Sequence, residues 1–389
     1  MAPPVDGAGE VLALIRTEEA TTISELAVAL GVVRSTVTQR VDALTAAGFV
    51  GPVRENTGSR GRPAASYRFL ADAGAVLAMH TGVTATILGV TDLNGEVLIE
   101  RWIPTDLGGT LEGFVDAIEA TTDELLTEAG VARGSLLAVG SGFVGSLELA
   151  RQRHISGSPN NWGQADLAAA LEQRFGVPAY VSRDVSIMGM AERSAKWPDA
   201  HVLICVKLGT GITSAIIVDG RPIDGAGGFA GELGHIKIAG ATVSCGCGAT
   251  GCLDAVAGGA ALVRELQDQG LDVTKVTDVV ALAERGDPVA AAAVRTAGKR
   301  VGEALASAVN LLNPEVICAW GFLADANTQL FAGIREGLYQ SALAVSSAEL
   351  TITRTVHGEE SGVYAAARMA LEYILAPASA DRLIEALVS

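Results

Sequence analysis

Three of the five cysteines of this chain fall within eight residues, as Cys245-x-Cys247-x4-Cys252, and His235 stands ten residues upstream. No other stretch limits the local fold so tightly. Three thiolates and one imidazole make a closed tetrahedral set for Zn2+, with no position left for water, so the ion would be structural. Gly246, Gly248 and Gly251 supply the backbone freedom that three crowded ligands need. In a reducing compartment such a cluster favours a metal over disulfides, with three incidental thiols as the alternative.

The chain has 389 residues, too many for one core and enough for two or three domains. No apolar run suggests a membrane span, and the N-terminus lacks the basic stretch and apolar core of a signal peptide. The expectation is a soluble cytoplasmic protein without membrane contact. The net charge of −16 repels nucleic acid overall, so any DNA contact must come from a local basic patch.

Such a patch lies in the first 70 residues. "GEVLALIRTEE" carries a helical stripe of Val11, Leu12, Leu14 and Ile15. "TTISELAVALGVVRSTVTQRVDALTAAGFV" gives two more helices. Thr22 or Ser24 caps the first, Ala27, Val28 and Leu30 form its buried side, and Gly31 stops it. Ser35 caps the second, whose inner face is Val37, Val41 and Leu44, and Gly48 ends it. Helix, glycine turn, capped helix is a helix-turn-helix pattern. Arg34, Ser35, Thr36, Thr38, Gln39 and Arg40 would face phosphates and base edges. "FVGPVRENTGSRGRPAASYRFL" then reads as a β-wing. From residue 34 to 68, six arginines oppose Asp42 and Glu55, a local balance of +4. Arg60 and Arg62 at the wing tip suit a narrow minor groove. A three-helix protein-interaction module with a solvated loop is the alternative. The small-residue stretch 71–75 divides a DNA-binding domain, 1–72, from a larger domain, 76–389.

The larger part opens with strands at Val76–Met79, Thr84–Val90 and Val97–Trp102. A second Gly-rich hairpin, "LICVKLGTGITSAIIVDG" at 203–220, repeats this outline, which suggests two similar lobes with a cleft between them. A helix near Glu359–Leu375 closes the domain.

"GELGH" at 231–235 followed by "CGCGATGC" resembles the ROK family of sugar-responsive repressors, open reading frames and sugar kinases. "SPNNW" at 158–162, "SRDVSIMGMAE" at 182–192 and "LGTGI" at 208–212 appear in the family's order, and the resemblance covers residues 76–375. The N-terminal winged helix matches the repressor branch. The resemblance implies an α/β fold of two ribonuclease-H-like lobes, as in sugar kinases and actin, with a zinc-binding loop at 235–252. It also implies a sugar site of Asn160, Asp184, Glu232, His235 and Asp254. The chemistry agrees, since carboxylates accept from sugar hydroxyls and an amide both donates and accepts. His235 would give one ring nitrogen to zinc and the other to the sugar, so that zinc braces the sugar loop. Asp254 stands where the family usually has Glu, and Arg183 where its kinases usually have Asn.

The kinases also place an acid two residues before the glycine of the first hairpin, where this chain has His80. A neutral imidazole is a poor ligand for Mg2+. Thr213 stands where the second hairpin usually has a further glycine. Trp320-Gly321-Phe322 replaces the Gly-Gly turn against the adenosine, and both rings are expected to fill that space. Asp184 remains as a base candidate but serves equally as a hydroxyl acceptor. The sequence therefore points to a sugar-responsive DNA-binding regulator, a repressor with a degenerate nucleotide site. Its expected partners are operator DNA, a sugar or sugar-phosphate effector and further copies of itself, as homodimer or homotetramer. The main alternative is an active glucokinase-like, ATP-dependent sugar kinase with an appended DNA-binding domain. A constitutive regulator with a vestigial ligand domain is a third.

Overall fold

The computed structural model describes residues 6–53, 65–83, 85–144, 147–148, 153–154, 162, 166–325, 328–356 and 361–388. The N-terminal unit comprises α1 (Ala8–Arg16), α2 (Ile23–Leu30), α3 (Arg34–Ala46) and the antiparallel pair β1 (Val50–Pro52) and β2 (Tyr67–Phe69). Thr22, not Ser24, caps α2. Its hydroxyl accepts from Glu25 N while the Glu25 carboxylate reaches back to Thr22 N, a reciprocal capping box. Gly31 ends α2 at φ 65°. Two expectations fail here. Leu26 is the buried residue of α2, with Ala27 and Leu30 half-buried and Val28 84% exposed. Ser35 is not a cap: α3 begins a residue earlier, with Val33 at the N-cap and no side-chain cap at all. Val37, Val41 and Leu44 form the inner face of α3.

The first lobe is built on β3 (Ala75–Thr81), β4 (Ala85–Thr91), β5 (Val97–Pro104), β6 (Leu136–Phe143) and β9 (Ala179–Arg183). The hairpin β7 (Leu147–Glu148) and β8 (Arg153–His154) lies outside this sheet. Helices α4 (Leu111–Ala129), α5 (Leu167–Phe175) and α6 (Asp184–Lys196) complete the lobe. The second lobe is built on β10 (Val202–Leu208), β11 (Ile212–Val218), β12 (Arg221–Pro222), β13 (Val316–Trp320) and β14 (Thr351–Arg354). Its helices are α7 (Leu253–Ala257), α8 (Gly259–Asp268), α9 (Val276–Glu284), α10 (Pro288–Leu312), α11 (Phe322–Asp325), α12 (Thr328–Ser341) and α13 (Ala344–Ser347).

The two five-stranded sheets share one topology. The first runs β5-β4-β3-β6-β9 and the second β12-β11-β10-β13-β14, each an antiparallel hairpin followed by parallel strands. The repeated hairpin seen in the sequence is thus a repeated sheet. Helix α10 packs on α12 so closely that added methyl groups at Gly298, Gly302, Gly333 or Gly337 would lie 2.1–2.3 Å from the facing backbone.

Two helices follow. Helix α14 (Gly362–Ile374) lies on β3 and β6, and α15 (Pro377–Val388) bridges from α14 to the N-terminal unit. It packs against α1 and α3, and its Ala380 and Ile384 share one hydrophobic core with Ala8, Val11, Leu12 and Ile15. Asp381 accepts hydrogen bonds from Gly9 N at 2.7 Å and Gly7 N at 3.0 Å, a carboxylate cap on the start of α1. Position 9 must be glycine, because a Cβ there would sit 2.1 Å from Pro377 O.

Candidate functional site

A cavity of about 290 Å³ lies between the lobes, in the space where both hairpins point. Gly82, Val83 and Ala85 of the first hairpin and Gly209 to Thr213 of the second form part of its wall. The junction of β9 with α6, the loop carrying Glu232 and His235, and the side chains of His80, Lys207, Asp254 and Phe322 add to it.

Asp184 opens α6 and is 2% exposed. Its Oδ2 accepts from Lys207 Nζ at 2.5 Å and lies 3.8 Å from His80 Nε2, while Oδ1 accepts from Val185 N at 2.7 Å. Burial alone would push this carboxyl up. The Lys207 ammonium, followed by the His80 ring, outweighs burial and holds it well below the usual carboxylate range. Lys207 is the residue that reading the sequence misses, although the signal was there: a lone cation in the otherwise apolar strand "VLICVKL". Its ammonium also lies 4.7 Å from the centre of the Trp320 ring.

Arg183, just before Asp184, is equally buried and also reaches into the second lobe. Its Nη2 donates to Ala230 O at 2.7 Å, and Nη1 pairs with Glu232 Oε1 at 3.3 Å. Two adjacent residues of one lobe thus grip the other. The departure from the family's Asn gives Glu232 a guanidinium partner.

His235 Nδ1 lies 3.8 Å from Cys245 Sγ, and Nε2 lies 4.0 Å from Glu232 Oε2 on the cavity side. One ring nitrogen faces the thiols and the other the cleft. Asp254 Oδ1 accepts from Ile212 N at 2.7 Å, tying α7 to the second hairpin, and burial pushes its carboxyl up against that bond. Asp184, Glu232, His235 and Asp254 therefore converge on one cavity. Asn160 lies outside the described residues.

The ligand atoms of His235, Cys245, Cys247 and Cys252 all lie within 4.8 Å of one another, a set that can hold a metal ion. Cys247 Sγ and Cys252 Sγ are 3.7 Å apart. A tetrahedron with zinc–sulfur bonds of about 2.3 Å has edges of about 3.8 Å, so the sulfurs fit that ion. Lys237 Nζ donates to Cys252 Sγ at 3.0 Å and Thr250 O at 2.8 Å, placing positive charge beside three potential thiolates.

On the nucleotide side the two aromatic rings part company. Trp320 is 1% exposed and does not line the cavity, whereas Phe322 does. Strand alternation is the reason. Val316, Cys318 and Trp320 face the inter-lobe core, so the indole packs behind the wall, 5.7 Å from the His80 ring. The expectation that both rings fill the adenosine space therefore fails for Trp320. His80 is itself 4% exposed and packs so tightly on α14 that a Cβ at Gly362 would meet its ring at 2.3 Å.

In the N-terminal unit, Arg34, Ser35, Thr38 and Gln39 are exposed and Thr36 is half-buried. Arg40 differs. Its Nε donates to Asp6 O at 3.0 Å, its Nη1 lies 3.6 Å from Glu10, and its side chain is 14% exposed, so it braces α3 against α1. Arg60 and Arg62 lie outside the described residues.

Residues 76–373 match the ROK family and residues 7–51 the MarR family. A xylose repressor of Caldicellulosiruptor bescii is 25% identical over 298 residues, covering 73% of this chain and 75% of that protein. A glucokinase of Streptomyces coelicolor is 29% identical over 327 residues, covering 77% of this chain and 98% of the enzyme. Among solved structures, a ROK family transcriptional regulator homologous to the Escherichia coli MLC protein superposes with a TM-score of 0.83 at 22% identity. That match spans 97% of this chain and 98% of the regulator, so the fold is shared over both parts.

Proposed function

The chain belongs to the ROK family, and on that premise we propose that it is a sugar-responsive DNA-binding regulator that represses carbohydrate-metabolism genes. One observation carries the reading: a helix-turn-helix unit and a sugar-kinase-like cleft are joined through the shared core of α1 and α15. An effector that changes the lobes has a physical route to the DNA-reading helices. The division at residues 72–76 marks two functions joined by that core.

The effector is a sugar or sugar phosphate held between the lobes by Asp184, Glu232, His235 and Asp254, with Asn160 completing the set. Zinc is the metal that the thiol cluster suits. Held by His235, Cys245, Cys247 and Cys252, it would supply a rigid structural centre beside Glu232. Operator DNA is contacted by Arg34, Ser35, Thr36, Thr38 and Gln39, and by Arg60 and Arg62 of the wing. Arg40 acts from behind as a brace. Binding two half-sites calls for a homodimer or homotetramer on an inverted repeat. No helix of the described residues is long and apolar enough to cross a membrane, and the cytoplasm is the compartment that suits a DNA-binding regulator.

Phosphoryl transfer is not part of this reading. His80 replaces the metal-side acid, Phe322 intrudes on the cavity, and Lys207 already holds the carboxylate a kinase needs as base. Active sugar kinase remains the second reading, favoured by the glycines of the second hairpin and by the similarity to a glucokinase. A coupled assay with ATP and a sugar panel separates the two. Operator affinity measured across sugars and sugar phosphates tests the regulator reading. A ligand that saturates the cleft without moving that affinity would sink it as a switch.

A further inference from the structure

We propose that Val33 is a specificity-determining residue, packing against the C5-methyl group of a thymine in the operator's major groove. The proposal rests on the DNA-binding reading above. Valine is among the poorest N-cap residues, because it offers no oxygen to the first-turn N–H groups. The motif is not indifferent to capping, since α2 next to it carries a complete capping box. Helix α3 nevertheless starts on an uncapped Val33 that is 67% exposed. Among the described residues from 33 to the end of α3, it is the one large apolar side chain left exposed. Val33 neither caps the helix nor enters the core, so its side chain is free to meet a partner at the start of α3.

Its neighbours indicate what that is. Arg34, Ser35, Thr38 and Gln39 are exposed on the following turns, a polar surface suited to phosphates and base edges. Recognition helices enter the major groove by their N-terminal residues, which is where Val33 sits. The thymine methyl is the apolar feature of that groove, and apolar side chains read it by contact. A serine would cap the helix better and would lose that contact.

The test uses the full chain and a duplex selected by the protein from a random library. Affinity is compared on this duplex and on the same duplex with uracil replacing each half-site thymine in turn, which removes only the methyl group. Wild type should weaken about fourfold at one thymine per half-site, the effect of about one buried methyl group. Val33→Ala, with two carbon atoms fewer to offer, should show a smaller preference for the thymine duplex than wild type. Val33→Ser, which restores a cap and so keeps α3 folded, should bind the thymine and uracil duplexes equally. Equal binding of both duplexes by wild type overturns the inference. So does an equal loss in wild type and both variants, because another residue then reads the methyl group. Failure to select any duplex overturns the DNA-binding reading itself, and Val33's role with it.

Discussion

Lys207 donates to Asp184 Oδ2 at 2.5 Å, from β10 of one lobe to the first residue of α6 in the other. The pair sits at the bottom of the cleft with His80 and Trp320 packed around it. Any sugar that uses Asp184 as an acceptor must share it with this ammonium. The cleft therefore contains its own cation at the point where a kinase needs a free base.

Removing either member takes away the other's nearest charge partner. Lys207→Met should destabilise the protein by about 3 kcal/mol, typical for breaking a buried ion pair from one side. Denaturant unfolding measures it. Lys207→Met should still show no ATP-dependent sugar phosphorylation, because His80 and Phe322 remain. Turnover in a coupled assay would show that Lys207 alone blocks the chemistry.

The pair also fixes a pH window. The folded pKa of Asp184 is depressed, so its contribution is fully present above the ordinary aspartate value of about 3.9 and fades as pH falls through the lower folded value. The stability difference between wild type and Asp184→Asn should stay level from about pH 8 to pH 5 and shrink only in stronger acid. A difference that has vanished by about pH 5 would mean that Lys207 does not hold the carboxylate.

Metal analysis of freshly purified protein should find one zinc per chain. Cys247→Ser should lose the ion and loosen the loop that carries Glu232, because metal binding and local folding are coupled. Proteolysis between residues 230 and 253 is the readout. Zinc-free protein with an intact, protected loop would refute the assignment.

Asp381→Ala removes the cap on α1 and should cost about 1 kcal/mol, with weaker operator binding although residue 381 lies on α15 and not on α3. Gly9→Ala should act in the same direction, since its Cβ collides with Pro377 O. Thermal unfolding and operator affinity are the two measurements. Unchanged operator affinity in both variants would show that the joint between α1 and α15 does not position α3.

The features legible in the sequence were those with a local signature. The thiol spacing announced its own cluster, and the two glycine hairpins announced twin sheets. Misreadings arose where local pattern underdetermines structure. In the eight-residue helix α2, apolar residues occur on most sides, and Leu26 is buried while Val28, two positions on, points away. Ser35 looked like a cap because serine prefers that position, yet the turn placed Val33 there. Trp320 was placed in the cavity because a strand's two faces cannot be told apart when both are apolar. The contacts of Arg183, Lys207 and Asp381 join residues 23 to 374 positions apart and leave no trace in a local window.

The shared core of α1 and α15 has a consequence for synthesis. The ribosome delivers α1 first and α15 only after both effector lobes. Until then the part of the first helix that α15 covers stays open, and Asp381 is not there to cap its start. A nascent chain thus cannot complete the core of its N-terminal unit before both lobes have emerged. A product cut short before residue 377 would lack both the helix that fills this core and the carboxylate that caps α1.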